Sequence, residues 1–258
     1  MSTPPPQFAV LLPAAGSGSR FQKEGGDDSG GGDKLLADIA GLSVLQRSVS
    51  LFATRPDVSL IAIITSPHRF DAYEEHLLTA NILPRSRLTF VEGGRERWES
   101  VLFGLRHLAA HTTPPQFVAI HDAARPLTPA SIIDDAFRTT IEKGAALPAL
   151  PEPATLKRRG PDGTVLETIP RQNLFQAQTP QCFELGKLLA AFETLLFENQ
   201  LADVTDDAQV YERRGFPVPI TPGSPLNLKI TTPADLLLAR AIAQGTRSVS
   251  AGPPTTPP

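Results

Sequence analysis

Five short stretches, residues 8–12, 59–65, 88–91, 117–120 and 145–150, are apolar almost throughout rather than alternating with polar positions. Unbroken runs of this length suit strands of a sheet covered on both faces. Between them the period changes. Trp98, Val101, Leu102, Leu105 and Leu108 recur at helical spacing after Arg95-Glu96, and that spacing predicts an amphipathic helix. Residues 129–143 and 233–243 predict two more helices, each opening on a proline suited to a helix start. A further helix is expected over 207–214, with Thr205 ahead of it as the cap. Strand–helix alternation argues for an α/β fold with a mainly parallel sheet and helices on both faces. One domain is expected over 8–243.

Two segments interrupt the pattern. Residues 25–33 are glycine-rich and acidic, the composition of a flexible insert. Residues 155–159 and 164–169 flank Gly160-Pro161-Asp162-Gly163, which predicts a β-hairpin. So polar a hairpin is marginal alone, so residues 152–170 are expected to form an arm packed on a second subunit. Residues 1–7 and 246–258, rich in proline and small polar residues, are expected to be disordered tails.

Composition narrows the function classes. The 258-residue chain is 41% hydrophobic and 20% charged, with a net charge of −3, so no global basic field invites nucleic acid. Cys182 is the only cysteine, which excludes an intrachain disulfide and a cysteine metal cluster and fits a cytoplasmic setting. No signal peptide and no membrane span are expected. The proline-rich end also predicts no appended downstream domain.

The chemistry gathers at strand ends. Residues 8–12 empty into Pro13-Ala14-Ala15-Gly16-Ser17-Gly18-Ser19-Arg20, where small residues let backbone N–H groups approach a ligand and Arg20 adds a fixed charge. This loop is no dinucleotide fingerprint, because Phe21 occupies the third glycine position; a tight turn with an incidental arginine is its bland reading. Lys34 alone reads as a solvated lysine, but two cations near one strand end call for an anion. Gly93-Gly94 permits close approach of a flat ligand, and Ser100 offers a hydroxyl from the helix that follows. His121-Asp122-Ala123-Ala124-Arg125-Pro126 follows a strand directly, where α/β folds bind ligands. Asp122 there suits a divalent cation or a ligand hydroxyl, against the simpler reading of a salt bridge to Arg125. Lys229 sits in an apolar stretch and needs a partner. His107 and His111 read as surface residues and Cys182 as packing.

These pieces in this order resemble the 2-C-methyl-D-erythritol 4-phosphate cytidylyltransferases: LLPAAGSGSR, the Lys34 region, GLSVLQRSV, VEGGRERWESV, IHDAARP, FQAQTPQ, TDDAQVYE and NLKITTPADL, together spanning residues 8–243. The resemblance implies a Rossmann-like nucleotidyltransferase sheet with a protruding hairpin arm, a homodimer, and Mg²⁺ or another divalent cation. It places Arg20 and Lys34 as transition-state cations, and Ala14, Ala15, Gly16, Gly94, Arg95 (through its backbone), Ser100 and Ala123 around CTP. Asp122 falls near metal and acceptor. Thr155, Arg171, Thr179, Thr205 and Lys229 fall on the acceptor side, with Thr155 and Arg171 supplied across the dimer; Arg125 joins them as a candidate. The implied catalytic set is Arg20, Lys34, Arg171 and Lys229. Because the 25–33 insert lengthens the usual spacing, Lys23 rivals Lys34 as the second cation.

The implied reaction joins CTP to 2-C-methyl-D-erythritol 4-phosphate, a polyol phosphate, giving the CDP-linked alcohol and pyrophosphate in non-mevalonate isoprenoid biosynthesis. Two alternatives stand beside it: cytidylyl transfer to ribitol 5-phosphate or another polyol phosphate, and a non-catalytic nucleotide-binding module.

Overall fold

From Phe8 to Leu12 every side chain of strand β1 (Phe8–Pro13) is fully buried. Phe8, Val10 and Leu12 enter one core and Ala9 and Leu11 another, because successive strand residues face opposite sides. An apolar run without alternation therefore means a strand sandwiched between two helical layers. The computed structural model describes residues 7–16, 21 and 33–250, with side chains as far as 245.

After β1 come the short β2 (Asp38–Ile39) and β3 (Leu42–Ser43), helix α1 (Val44–Ala53), β4 (Val58–Thr65), α2 (Phe70–Thr79), β5 (Leu88–Glu92), α3 (Arg97–Ala109) and β6 (Phe117–Ile120). Then follow α4 (Ala130–Lys143), β7 (Ala145–Pro151), the hairpin β8 (Leu156–Arg159) and β9 (Val165–Ile169), β10 (Phe175–Ala177) and β11 (Gln181–Glu184). Helix α5 (Leu185–Phe197), α6 (Asp207–Arg213), β12 (Ile220–Pro222) and α7 (Pro233–Ser250) complete the order.

The main sheet runs β10-β7-β11-β6-β1-β4-β5, with β12 also paired to β7. β1 is parallel to β4 and β6, and β4 is parallel to β5; β11 runs antiparallel between β6 and β7. Helices α1, α2, α4 and α7 pack on one face and α3, α5 and α6 on the other. The chain steps outward from β1 through β4 to β5, then returns to β6 on β1's other side. At such a switch point the loops leaving adjacent parallel strands diverge and open a crevice.

Local chemistry sets the helix ends. Ser43 and Gln46 form a capping box on α1, and Glu96 with Glu99 does the same for α3. Gly144, at φ 85°, ends α4 in the left-handed region. Four expectations change. Pro129 is the N-cap of α4 rather than its first helical residue. Asp206, not Thr205, caps α6, its carboxylate accepting from Gln209 N, while Thr205 donates to the Gln209 side chain through N and Oγ1. Helix α7 runs past residue 243 to Ser250, into the expected tail, because nothing there stronger than Gly245 opposes it. At the other end, Gln7 O accepts from Phe117 N, so that residue belongs to the fold. The rest of both tails, and residues 25–32 of the insert, lie outside the described residues.

β8 and β9 pair antiparallel from Leu156↔Ile169, as the hairpin pattern predicts. Val165 and Leu166 are each 63% exposed on it.

Candidate active site

A cleft of about 500 Å³ opens at the switch point, where β1, β5 and β6 end. Its floor and walls come from Pro13–Gly16, Gly94–Arg97 with Ser100, and Asp122–Ala124; Lys34-Leu35 and Lys229 with Thr231 close the sides. Of the expected residues, Ala14, Ala15, Gly16, Lys34, Gly94, Arg95, Ser100, Asp122, Ala123 and Lys229 therefore meet around one cavity. Arg20 and Lys23 lie outside the described residues; Lys34 lines the cleft together with Arg95, Arg97 and Lys229.

The loop after β1 is tied to its neighbours. Ala14 N donates to Ile64 O at 2.7 Å and Thr65 Oγ1 donates to Ala14 O at 3.3 Å. The glycine pair is demanded by packing as well. A Cβ on Gly93 would lie 2.6 Å from Ala15 Cβ, and one on Gly94 would lie 2.3 Å from Glu99 Cβ. Ser100 is buried, and its hydroxyl accepts from Gly94 N at 3.0 Å and donates to Glu96 O at 3.2 Å. These two contacts hold the loop in shape at the cleft wall.

Asp122 is the charged centre. Its Oδ2 meets Lys229 Nζ at 3.0 Å and Arg125 Nε at 3.2 Å. Burial alone would raise its pKa, yet Lys229, Arg97 and Arg125 pull it well below the usual carboxylate range. Lys229 thus finds the partner its apolar setting demanded, and the simple Asp122–Arg125 salt bridge is present too, inside a larger cluster. Arg125 also donates to Asn227 O at 2.6 Å. Lys34 Nζ donates to Ile230 O at 2.9 Å, from the same segment that carries Lys229.

Behind Asp122 lies a buried polar relay. The Thr179 hydroxyl accepts from Asp122 N at 3.1 Å and lies 3.1 Å from His121 Nδ1. His121 Nε2 is 3.1 Å from Arg125 O, which can only accept. Nε2 therefore carries the proton and Nδ1 accepts from Thr179. Burial pushes the His121 pKa down to about 4, so the ring is neutral.

Sequence reading missed Arg97. It lines the cleft and grips fully buried Asp207 with two contacts, 3.0 and 2.7 Å. Burial raises the Asp207 carboxyl, and Arg97 opposes that rise. Gln181 backs the pair, its Oε1 accepting from Asp207 N and Ala208 N. The only sequence signal was Arg97's place at the start of a helix beside a cleft glycine; nothing ties it to a residue 110 positions away.

Five acceptor-side candidates do not line the cleft. Arg125 is spent on Asp122 and Asn227. Thr179 is buried beneath Asp122, a support rather than a wall. Thr205 is exposed ahead of α6. Thr155 and Arg171 are exposed on the arm, where Arg171 donates to Pro153 O. Among the described residues no group of three or more His, Cys, Asp or Glu gathers to cage a metal, and no helix is long and apolar enough to cross a membrane.

The model of the family described as IspD, 2-C-methyl-D-erythritol 4-phosphate cytidylyltransferase, matches residues 8–245. An enzyme of that description from Rhodopirellula baltica is 37% identical over 93% of this chain and 96% of its own length. One from Gloeobacter violaceus is 39% identical over 90% and 94%. The crystal structure of the Thermus thermophilus enzyme superposes with a TM-score of 0.71 at 28% identity, covering 92% of this chain and 99% of that one. Fold, cleft and relatives agree: the chain belongs to the 2-C-methyl-D-erythritol 4-phosphate cytidylyltransferase family of nucleotidyltransferases.

Proposed function

We propose that this cleft transfers the cytidylyl group of CTP to 2-C-methyl-D-erythritol 4-phosphate and releases pyrophosphate, the step that defines the family in non-mevalonate isoprenoid synthesis. One observation carries the reading: Lys34, Arg97, Lys229 and Asp122, far apart in the chain, line a single cavity at the carboxyl edge of the sheet. With Arg95 and Glu96 also in the lining, four cations against two carboxylates leave a surplus of positive charge, the field a triphosphate needs.

A phosphate oxygen of the acceptor attacks the α-phosphorus of CTP, and the bond from that phosphorus to the bridging oxygen breaks as pyrophosphate leaves. The attacking oxygen is already anionic near neutrality, so the protein supplies placement and charge rather than a strong base. We assign Lys34, and Arg20 by its match to the family motif, to the charge that grows on the α-phosphate and the leaving group. Lys229 faces the attacking phosphate. Ala14–Gly16 and Gly94-Arg95 offer backbone groups to the nucleotide, and Ala123 leaves it room.

Asp122 suits Mg²⁺: both its ion pairs use Oδ2, so Oδ1 is left for a cation whose other ligands are phosphates and water. Mg²⁺ would supply charge neutralisation and alignment of the triphosphate. Among the described residues no cage of carboxylates surrounds it, so the metal would arrive with the nucleotide.

The working unit is proposed to be a homodimer in the cytoplasm. The exposed arm, with Val165, Leu166, Thr155 and Arg171, supports this: it presents apolar and cationic groups that its own cleft does not use. Cys182, buried and free, suits a reducing compartment.

Pyrophosphate release from CTP with Mg²⁺ and each polyol phosphate tests the reading. Turnover with 2-C-methyl-D-erythritol 4-phosphate is expected. Preference for ribitol 5-phosphate would move the acceptor assignment, and nucleotide binding without turnover would remove the enzyme assignment.

A further inference from the structure

Lys34 is useful to a triphosphate only if its backbone is fixed, because its long, flexible side chain already loses rotamer freedom when it places its charge. The short turn that bears it is held on both flanks. Downstream, Leu35 is buried and its carbonyl accepts from Leu45 N at 2.8 Å, while Val44 N donates to Ala37 O at 3.0 Å. Upstream, the hold is a polar cluster outside the cleft. Asp33 Oδ1 accepts from Leu35 N at 3.1 Å, and Asp33 O accepts from Leu36 N at 2.9 Å. Asp33 Oδ2 accepts from the Tyr73 hydroxyl at 2.5 Å, with Arg69 3.6 Å away.

Tyr73 stands on α2, forty positions from Asp33, with its ring in the core at 1% exposure. A hydroxyl at the tip of a buried ring needs a partner, and a hydrophobic residue would have packed there without one. Here the partner is the carboxylate next to the cleft lysine.

We propose that Tyr73 and Asp33, with Arg69 beside them, are positioning residues for Lys34: the hydroxyl–carboxylate contact anchors the Lys34 turn to the rigid core so that its ammonium group reaches the triphosphate in one geometry. The inference rests on the assignment of Lys34 made above. It also accounts for how a lysine that follows a long glycine-rich insert is brought to the cleft. The anchor begins at Asp33, the insert's last residue, so the length of the stretch before it does not enter.

The test is steady-state pyrophosphate release with the full chain in four forms: Tyr73→Phe, Asp33→Asn, Lys34→Ala and the Tyr73→Phe/Lys34→Ala double variant. Loss of placement without loss of the charge lowers kcat by about ten- to hundredfold in Tyr73→Phe and in Asp33→Asn, with KM for CTP little changed. Added to Lys34→Ala, the Tyr73→Phe change has no further effect on kcat, an outcome that general loosening of the core would not produce. Thermal midpoints accompany each form, and Asp33→Asn, outside the core, keeps the test valid if Tyr73→Phe softens the fold. Normal kcat in both Tyr73→Phe and Asp33→Asn, or multiplied losses in the double variant, would overturn the inference while leaving Lys34's role intact. Normal turnover in Lys34→Ala would overturn that role and the inference with it.

Discussion

Lys229 Nζ lies 3.0 Å from Asp122 Oδ2, joining a strand-end loop to a segment more than 100 residues later. The contact keeps Asp122 ionised in a buried place and holds Lys229 at the cleft wall, so one ion pair sets both the carboxylate and the cation of the site. Lys229 is 41% exposed while Asp122 is 10% exposed, which leaves the ammonium group reachable by a ligand and the carboxylate as its fixed base.

Replacing Lys229 by alanine is expected to lower kcat on the order of 10²- to 10³-fold, the usual effect of removing one preorganised charge-stabilising donor. Asp122 retains Arg125, so the fold persists. Pyrophosphate-release kinetics beside a thermal denaturation curve check this; a collapse of the melting temperature matching the loss of rate would point to structure instead of catalysis.

Asp207→Ala strips Arg97 of both its contacts and leaves a guanidinium facing the cleft floor unpaired. Breaking such a pair is expected to cost about 3 kcal/mol, read from urea denaturation. Arg97→Lys keeps the charge but loses the two-pronged fit, so it should recover part of the stability and less of the activity.

The neutral His121 makes stability depend on pH. Its folded pKa of about 4 lies below the ordinary value of 6.5, so the unfolded chain binds the extra proton first. Its contribution is therefore complete above pH 6.5 and is lost as pH falls toward 4, by roughly 3 kcal/mol at most. Asp122, also depressed, withdraws its own share only at lower pH. Unfolding free energies measured between pH 7 and 4 should show this slope, and His121→Gln should flatten it.

Gly93→Ala pushes a methyl group to 2.6 Å from Ala15 Cβ, closing the space between the loops after β1 and β5. Overpacking of this kind costs about 1–3 kcal/mol. Both thermal stability and CTP affinity should fall, because Ala15 lines the cleft. An Ala15→Gly change in the same chain should restore part of each.

Much of the architecture was legible along the chain. The runs at 8–12, 59–65 and 117–120 had to be doubly covered strands, since burying them on one face only would leave half their apolar residues in water. Helix α3 announced itself through the Trp98–Leu108 spacing, and the hairpin through Gly160–Gly163. Helices α1, α2 and α5 were less plain: α5 is apolar nearly all round, which blurs its period. The cap of α6 went to Asp206 because the side chain that reaches Gln209 N is chosen by backbone angles, not by residue type alone.

The ordered motifs by themselves determined the family, the sheet type and ten of the residues around the cleft, because strand ends followed by small or charged residues can be read locally. Only the tertiary structure decided which polar groups pair: Lys229 with Asp122, Arg97 with Asp207, and the Tyr73 hydroxyl with Asp33. It also showed the supporting contacts of Thr179 under Asp122, of Ser100 on Gly94 and of Gly93 against Ala15. Hydrogen bonds and ion pairs act over about 3 Å, and the partners that come that close are set by how the helices and loops pack, not by distance along the chain.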